Sequence, residues 1–378
     1  MRIDLILLTT SALATLAGSA QAQETLVLIA HVGVLSGGLA AYGRDNENGV
    51  RLAIEELNAR GVTIGQRKAR FELLAEDDHA DPKQATSVAQ KLCDRKVNGV
   101  IGHMTSGTTI PAAKIYNDCG VPMITVGATN PKLTQLGYRT TFRMNSNDNT
   151  LGAAVATYGA DKLGLKTVAV IDDRTAYGNG VAEVFKAAAL AKGMRVVDQQ
   201  YTDDKAIDFA AILTIIKAKN PEALFYGGTY AQAGPMLRQM EQLGMRDIKF
   251  LGGDGICNPN LGELSGGAKT AENVICVEGG KPIEKGPASA GAPWRARYDA
   301  RFPNQFQIGS PYTYDATMVL VDAMTRAGSA DPALYAPRLF DTDYRGVMNR
   351  YSFDANGDLK NPTTTAYVYR DGRKVSAD

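Results

Sequence analysis

The sequence carries almost no excess charge of either sign. Its 378 residues include 41 lysines and arginines against 40 aspartates and glutamates, so the formal net charge at pH 7 is +1. Proteins that bind nucleic acid or an anionic membrane surface through electrostatics need a basic excess or a basic patch. The composition therefore predicts neither nucleic acid nor a membrane surface as a partner.

Motifs for catalysis and for metal or nucleotide binding are also missing. The histidines, His31, His79 and His103, lack the HxxxH or HExxH spacing of a metal site. There is no GxSxG nucleophile elbow. The glycine-rich stretch Ser265–Thr270 has alanine, not glycine, before Lys269, so it is not a P-loop. We therefore expect a protein that is not an enzyme and that uses no metal or cofactor.

Long hydrophobic runs are absent after the start of the chain. Leu5–Leu16 is apolar but too short to span a membrane. Ala20 and Ala22 after it form the A-x-A pattern of a secretory cleavage site. We expect residues 1–22 to be a signal peptide and the mature chain to begin near Gln23 as an exported, soluble protein. No cysteine lies at the cleavage point, which argues against a lipid anchor.

Cysteine is scarce, with four residues in the chain. An even number in an exported protein favours disulfide bonds over free thiols. Cys93 falls late in a predicted helix and Cys119 just before a predicted strand, so both approach the amino edge of one sheet. Cys257 and Cys276 flank a short segment farther on. We predict the pairs Cys93–Cys119 and Cys257–Cys276, with free buried thiols as the alternative.

What the sequence does contain is an alternation of buried strands and amphipathic helices. Such alternation predicts right-handed βαβ units and parallel sheets, and the length indicates two domains. A second set of units begins near Asn145, the alternation loosens beyond Val274, and the most linker-like stretch is Gly279–Pro293. The predicted strands include Leu26–Val34, Ala69–Ala75, Thr167–Ile171, Arg195–Val197, Ala223–Tyr226, Ile248–Leu251, Tyr351–Phe353 and Thr365–Tyr369; the predicted helices include Leu151–Leu163, Val181–Ala191, Phe209–Lys217, Gln232–Leu243, Trp294–Arg301 and Tyr312–Ala327.

The stretch Gly99–Pro131 repeats one pattern twice: a short apolar strand, a turn rich in small and hydroxyl residues, and a proline near the start of a helix-compatible segment. Pro111 and Pro131 are the two prolines. Proline fits the first helical turn, and serine and threonine just before it are N-cap residues. Two helix N-termini at the carboxyl edge of a parallel sheet would bind a small anion. Ordinary helix capping explains the same residues equally well.

The order and spacing of a set of short motifs form a recognisable pattern. These motifs are Ala41–Gly43, Gly49–Ala53, Asn58, Asp77-Asp78, Asp81–Gln84, Ile101–His103, Ile115-Tyr116, Gly120–Pro122, Tyr177–Gly180, Phe225–Gly228 and Asp315-Ala316. By these motifs the chain resembles the type I periplasmic binding proteins, in particular the leucine/isoleucine/valine-binding receptors of ABC transporters. The resemblance covers nearly all of the mature sequence. The family's fold implies two parallel-sheet α/β lobes, 23–143 with 279–349 and 144–278 with 350–378, joined by a three-segment hinge.

The resemblance also implies a set of ligand-binding residues. Asp254 corresponds to an acidic residue that receives the ammonium of an amino acid. Thr229 stands where branched-chain binders often have a tyrosine, which leaves the side-chain specificity open. The residues that match the carboxylate-binding turns are Ser106, Gly127, Ala128 and Thr129, and those that match the pocket walls are Tyr42, Met104 and Tyr177.

The resemblance implies a monomeric receptor that closes on an amino acid and delivers it to an inner-membrane ABC permease. We expect a branched-chain or other neutral aliphatic amino acid. The alternative within the same fold is an amide or an aromatic or other carboxylic acid, bound for uptake or sensing. Asp254 discriminates between the two, because a ligand without an ammonium would leave that carboxylate unpaired. An exported hydrolase is disfavoured by the missing nucleophile–base pair.

Overall fold

The computed structural model describes residues 24–281 and 291–377, and strands and helices alternate along them as predicted. The predicted signal peptide and most of the linker-like stretch lie outside these residues. The strands are β1 (Thr25–Gly33), β2 (Thr63–Ile64), β3 (Arg67–Asp77), β4 (Gly99–Gly102), β5 (Met123–Thr125), β6 (Thr141–Arg143), β7 (Thr167–Asp172), β8 (Arg195–Tyr201), β9 (Ala223–Gly227), β10 (Lys249–Gly252), β11 (Val274–Gly279), β12 (Tyr344–Arg345), β13 (Arg350–Tyr351), β14 (Thr364–Arg370) and β15 (Arg373–Ser376).

Local capping explains where several helices begin and end. The Asp81 side chain accepts hydrogen bonds from the amides of Lys83 and Gln84 at the start of α2, with Pro82 as the first helical residue. Gly61 ends α1 in the left-handed conformation, with φ 64°. The helices are α1 (Ala40–Arg60), α2 (Pro82–Asp94), α3 (Ser106–Cys119), α4 (Lys132–Gln135), α5 (Asp148–Thr157), α6 (Ala176–Ala191), α7 (Ala210–Ala218), α8 (Tyr230–Gln242), α9 (Leu261–Leu264), α10 (Ala268–Ala271), α11 (Ala292–Arg301), α12 (Ser310–Ala327) and α13 (Pro332–Leu339).

The first lobe is built on a six-stranded sheet in the order β2-β3-β1-β4-β5-β6. All neighbours pair in parallel except β2, which is antiparallel to β3. β4 and β5 are buried along their whole length, as apolar strands covered on both faces should be. Because these strands run the same way, the turns after β1, β4 and β5 meet at one edge of the sheet.

The second lobe is built on a seven-stranded sheet in the order β15-β14-β11-β10-β9-β7-β8. The five strands from β7 to β11 pair in parallel, and the terminal hairpin of β14 and β15 adds an antiparallel edge next to β11. The turns after β7, β9 and β10 therefore share the carboxyl edge of this sheet. The predicted fold class, two parallel-sheet α/β lobes, is confirmed.

The chain passes between the lobes three times. It leaves the first sheet at Arg143 and enters α5, and it leaves the second sheet after β11 and returns to the first lobe, where Trp294 and Tyr298 of α11 join the core around β1. It crosses again before β14. Tyr351 and Phe353 still pack in the core of the first lobe, beyond the predicted boundary at residue 349. The other lobe boundaries remain predictions.

The first of the two predicted helix starts needs correction. α3 begins at Ser106 with Thr105 as N-cap, so Pro111 lies inside the helix and not in its first turn. The second start, near Pro131, gives α4, which is a single turn that ends where Gly137 adopts φ 75°. Of these two turns, only the one after β4 therefore presents the N-terminus of a full helix, α3. The turn after β5 can bind an anion only through its own backbone and side chains.

The region beyond Val274 contains more strands and helices than its sequence pattern predicts. The predicted helices near Trp294 and Tyr312 are present as α11 and α12, and the strand near Thr365 is β14. In this region the sequence pattern missed β11, α13 and the short strands β12 and β15. No helix among the described residues is long and apolar enough to cross a membrane.

Both predicted disulfides are present. Cys93–Cys119 joins the C-terminal ends of α2 and α3, and Cys257–Cys276 ties the segment after β10 to β11. No free cysteine occurs among the described residues. The two bonds link residues 26 and 19 positions apart.

Replacing Cys93 and Cys119 together by serine should lower the free energy of unfolding by roughly 3 kcal/mol, because the unfolded chain regains the entropy of an open loop. The change is measured by urea denaturation of the ligand-free protein. Replacing Cys257 and Cys276 should have a similar effect, since closure entropy depends weakly on loop length. An unchanged urea midpoint would show that the first bond does not stabilise the fold.

Candidate functional site

A cavity of about 650 Å³ lies between the two lobes. Its walls come from the turns after β1, β4 and β5 in the first lobe and after β7, β9 and β10 in the second. Open α/β sheets bind ligands at the carboxyl ends of their strands, so the cavity lies where the fold predicts a site. The predicted site residues that line it are Tyr42, Met104, Ser106, Gly127, Tyr177, Thr229 and Asp254.

Two neighbouring turns form the first-lobe wall. Ser106, at the start of α3, is buried, and its hydroxyl accepts a hydrogen bond of 3.2 Å from the amide of Asn130, which ties the two turns together. Gly127 follows β5 where the chain passes close to the turn after β4: a Cβ at this position would lie 2.5 Å from the carbonyl oxygen of Met104. Only glycine fits there. A hydroxyl, backbone amides and a helix N-terminus together suit a carboxylate.

Thr129 and Ala128 are placed differently from the other predicted residues. Both are fully buried, and neither lines the cavity. The amide of Ala128 donates to the hydroxyl of Thr125 at 3.1 Å. The Thr129 hydroxyl makes no hydrogen bond with good geometry, and it lies close enough to the carboxyl of Asp148 to lower the pKa of that group. Their predicted contact with a ligand carboxylate therefore stays a prediction.

Asp254 dominates the electrostatics of the second-lobe wall. Its carboxylate accepts a hydrogen bond of 2.9 Å from the hydroxyl of Tyr177, which in turn accepts one of 2.8 Å from the amide of Gly255. Burial raises the pKa of Asp254 to about 7, the bond from Tyr177 lowers it, and the charge of Glu278 raises it. A buried carboxylate that is costly to ionise gains most from a cation placed beside it.

Glu278 is a cavity residue that the sequence analysis missed. It lies near the end of β11, is 5% exposed, and pairs with Lys374 at 2.7 Å through one carboxylate oxygen. Its other oxygen has no hydrogen-bond partner. Burial raises the pKa of Glu278, and Lys374 lowers it. An acid directly after the apolar run Val274–Val277 was the available signal, but that run fell in the stretch where the alternation loosens.

Arg143 is a second missed residue, and it holds the turn after β5 in place. The arginine is fully buried and forms a two-bond ion pair with Asp358, at 2.7 and 2.9 Å. The rest of its guanidinium donates to the carbonyl oxygens of Ala128 at 3.1 Å and Asn130 at 2.8 Å. Arg143 is the last residue of β6, where the first crossing segment begins. Its side chain links this segment to Asp358 in the third crossing segment and to Ala128 in the predicted binding turn.

The two lobes also touch directly around the cavity. The hydroxyl of Tyr230, in α8, donates to the carbonyl oxygen of Gly38 at 3.2 Å. The side-chain amide of Asn130 donates to the carbonyl oxygen of Ala176 at 2.6 Å. Thr229 caps α8 beside them, and its hydroxyl lies 3.1 Å from the side-chain oxygen of Gln232. These contacts bridge the lobes on either side of the cavity, so the structure has the form of a closed cleft.

Ser36, His79 and Asp77 give the cavity its one resemblance to a hydrolase. The Ser36 hydroxyl lies 2.7 Å from Nδ1 of His79, and the Asp77 carboxylate lies 3.1 Å from the same nitrogen. A nucleophile–base–acid triad needs the serine on one ring nitrogen and the carboxylate on the other. This arrangement cannot relay a proton from serine. Among the described residues, no cluster of His, Cys, Asp and Glu could hold a metal ion.

The comparisons with known proteins agree with this geometry. Residues 27–373 match the model of a periplasmic binding protein family, and the chain belongs to this family. Over 348 residues, 91% of both chains, it is 34% identical to the leucine-specific-binding protein of Salmonella typhimurium.

Solved structures give the same result. The branched-chain amino acid transporter substrate-binding protein of Streptococcus pneumoniae, solved in complex with isoleucine, is 27% identical and superposes with a TM-score of 0.82, covering 93% of this chain and 100% of its own. A solute-binding protein of R. palustris in complex with 4-hydroxybenzoate, 16% identical, superposes with a TM-score of 0.81, covering 94% and 96%. That second likeness shows the fold alone.

Replacing Gly127 by alanine should lower the free energy of unfolding of the ligand-free protein by about 1–3 kcal/mol, because the added Cβ forces the turns after β4 and β5 apart. Gly107, which also lines the cavity, is the matched control. A Cβ there meets nothing within 4 Å, so Gly107→Ala should be neutral or stabilise by about 0.4–1 kcal/mol. Equal destabilisation by the two changes would contradict the close approach at Gly127.

Proposed function

We propose that the protein is the periplasmic substrate-binding component of an ABC transporter and binds an amino acid with a branched-chain or other neutral aliphatic side chain. Asp254 receives the ammonium, and Thr229 closes the pocket near it. The turns after β4 and β5 receive the carboxylate, through Ser106, Gly127, Ala128 and Thr129. The aromatic and apolar wall that surrounds the side chain is formed by Tyr42, Met104 and Tyr177.

The single observation that carries this proposal is the separation of charge across the cavity. The first-lobe wall presents a hydroxyl and the N-terminus of α3, both of which favour an anion. The second-lobe wall presents the buried carboxylate of Asp254, which favours a cation. An α-amino acid carries a carboxylate and an ammonium on one carbon, so it satisfies both walls at once.

The same separation gives the lobes a reason to close. A ligand docked on the first lobe alone meets only the anion-binding wall. Closure brings Asp254 to its ammonium, and a contact made only in the closed state shifts the equilibrium toward that state. The chain then acts as a monomeric, non-catalytic receptor, exported by a cleaved signal peptide, that delivers its ligand to an inner-membrane permease.

A ligand without an ammonium, such as an amide or an aromatic or other carboxylic acid, is the second candidate. The observation that favours it is the pKa of Asp254, about 7, at which a large share of the carboxyl is neutral and can donate a hydrogen bond. The polar groups near Asp254 argue against this second candidate. Glu278 has an unpartnered oxygen in the same wall, and its negative charge raises the cost of ionising Asp254, which a ligand without an ammonium would not relieve.

Replacing Asp254 by asparagine should weaken leucine binding by at least about 2 kcal/mol, roughly thirtyfold, because the ammonium loses its charged partner. The affinity is measured by calorimetry at pH 7. 4-Methylpentanoate, which is leucine without the amino group, should bind the variant as well as it binds the parent. Mass spectrometry of the ligand released from the unfolded parent protein identifies the natural ligand class.

Asp315→Asn is the matched control, because it changes another buried carboxyl whose pKa burial raises, to about 6, in the core of the first lobe and away from the cavity. This variant should change stability and leave the ratio of the two affinities unchanged. If Asp254→Asn weakens both ligands equally, Asp254 is a structural residue and the second candidate gains. If neither leucine nor any other neutral aliphatic amino acid binds the parent, the amino-acid assignment is wrong.

A further inference from the structure

Glu278 is a buried acid in the cavity wall to which the proposed function gives no role. Its side chain is 7% exposed, and one of its carboxylate oxygens accepts a hydrogen bond of 2.7 Å from Lys374. The other oxygen, Oε2, has no hydrogen-bond partner among the described residues. A buried acceptor without a donor is costly, so such a group needs an explanation. Because Glu278 lines the cavity, a bound ligand can bring the missing donor.

The second sheet places Glu278 beside Asp254. In the parallel pair of β10 and β11, Gly252 lies opposite Cys276. Asp254 and Glu278 follow these two residues at the same spacing, so the two acids leave neighbouring strands at one carboxyl edge. Burial raises the pKa of Asp254, and the negative charge of Glu278 raises it further. Thr229 follows β9, on the other side of β10, so Glu278 flanks the proposed ammonium site on the side away from Thr229.

This flank is the end of the cavity nearest the hinge. The chain leaves the second sheet directly after Glu278, where the carbonyl oxygen of Gly279 accepts a hydrogen bond of 2.7 Å from the hydroxyl of Tyr312, in α12 of the first lobe. The amide of Gly280 donates to the carbonyl oxygen of Thr363, in the third crossing segment, at 2.7 Å. The backbone beside Glu278 is therefore held by groups outside its own strand, which fixes where its side chain begins.

Residues of both lobes form the walls of this hinge end. In the second lobe, Lys374 donates to the carbonyl oxygen of Cys257 at 3.0 Å as well as to Glu278. From the first lobe, Tyr42 faces the two acids: burial raises the pKa of Tyr42, and the charges of both acids raise it further. The residues that line this end of the cavity are Tyr42, Cys257, Asn258, Glu278 and Ile308.

The charges around Glu278 favour a neutral donor. Lys374 already neutralises the carboxylate, and it lies over the ring of Tyr367, 4.5 Å from the ring centre. A second cation on Oε2 would lie next to Lys374 and be repelled by it. A hydrocarbon side chain would leave Oε2 without a partner. A hydroxyl or a primary amide donates a hydrogen bond and carries no charge, so it satisfies the oxygen without either cost.

We propose that Glu278 is a specificity-determining residue that selects amino acids whose neutral side chain carries a hydrogen-bond donor, a hydroxyl or a primary amide, over those with a hydrocarbon side chain. The inference rests on the proposed function for the positions of the ligand ammonium and carboxylate, and it concerns the side chain alone. With the ammonium on Asp254, a side chain that lies along Tyr42 reaches the hinge end of the cavity. There Oε2 of Glu278 accepts the hydrogen bond.

The test is calorimetry at pH 7 with two pairs of amino acids of nearly equal shape, threonine with valine and asparagine with leucine. Within each pair only the first member can donate a hydrogen bond from its side chain, a hydroxyl in one pair and an amide in the other. The parent should bind the donor-bearing member of at least one pair about tenfold more tightly or better, because its partner leaves Oε2 of Glu278 unpaired. Equal affinities within both pairs, or tighter binding of valine and leucine, overturn the inference.

Glu278→Met combined with Lys374→Met assigns the preference to this residue. Removing both partners together leaves no buried charge unpaired, and methionine has a similar length. The double variant should lose the preference, through weaker binding of the donor-bearing member and unchanged or tighter binding of the hydrocarbon one. Asp315→Asn, in the core away from the cavity, should keep the preference of the parent. If the double variant weakens all four amino acids by the same factor, Glu278 acts on their common part or on the fold, and the inference is wrong.

Glu278→Gln is a second variant that decides the question even if the double variant does not fold. Lys374 can only donate, so it pairs with the glutamine oxygen and leaves the amide hydrogens to face the cavity. O-methylserine accepts a hydrogen bond but cannot donate one, and norvaline has the same shape without the oxygen. The parent should bind O-methylserine no better than norvaline, whereas Glu278→Gln should bind it more tightly. The same ratio of affinities in both proteins contradicts the inference.

Failure of this inference can be told apart from failure of the proposed function. If the amino acids bind the parent without preference, the inference is wrong and the proposed function stands. If no amino acid binds, the proposed function is wrong, and the same contrast is made with 3-hydroxybutanoate and 3-methylbutanoate, which are threonine and valine without the amino group. Glu278 should still favour the hydroxy acid. Equal affinities for these two acids, or no binding of either, overturn the inference as well.

Discussion

The ion pair between the fully buried Arg143 and the partly buried Asp358 is the interaction on which the cleft depends. Arg143 ends β6, and Asp358 lies in the segment that leads to β14, so the pair joins two of the three strands of the hinge. The same guanidinium holds the carbonyls of Ala128 and Asn130. Removing one partner of a buried pair leaves the other charge unpaired and costs several kcal/mol. Arg143 therefore holds both the predicted binding turn and the hinge, so a movement of one disturbs the hydrogen bonds of the other.

Because Arg143 holds the first-lobe wall of the cavity in place, the second-lobe wall can determine which ligands bind. The first lobe offers dipoles and hydroxyls that suit any carboxylate, which is a feature that amino acids and aromatic acids have in common. In the proposed function, the second lobe supplies the charge of Asp254, which accepts a hydrogen bond of 2.9 Å from Tyr177 and distinguishes a ligand with an ammonium from one without. The proposal therefore assigns carboxylate binding to the first wall and ligand selection to the second.

The sequence predicts those features whose physical cause lies in neighbouring residues. It also predicts the disulfide pairing, because an even number of cysteines and the order of the strands leave few possible pairs. Both disulfides, the sheets and most elements follow from such patterns, and Gly127 follows from the family resemblance. Arg143 and Glu278 did not, because each acts through a partner at great sequence distance: Arg143 and Asp358 are 215 positions apart, and Lys374 and Glu278 are 96 apart. In sequence these residues read as ordinary strand ends. The helix start assigned near Pro111 was wrong because the N-cap of α3 is Thr105, whose side chain accepts the amide of Thr108; the helix starts five residues earlier in the chain than Pro111 suggested.

Asp148 and Asp254 show why a raised pKa does not by itself assign a role. Burial raises the pKa of both, to about 8 and about 7, and the charge of Asp254 raises the pKa of Asp148. Asp254 lines the cavity, so a cation that enters the cavity can neutralise its charge. Asp148 lines no cavity, so its ionisation depends on its buried neighbours, among which Thr129 and Arg143 lower its pKa and Asp254 raises it. A ligand ammonium that neutralises Asp254 would also remove much of that repulsion and so lower the pKa of Asp148. The role of each carboxyl therefore follows from its position and its partners, and not from its pKa alone.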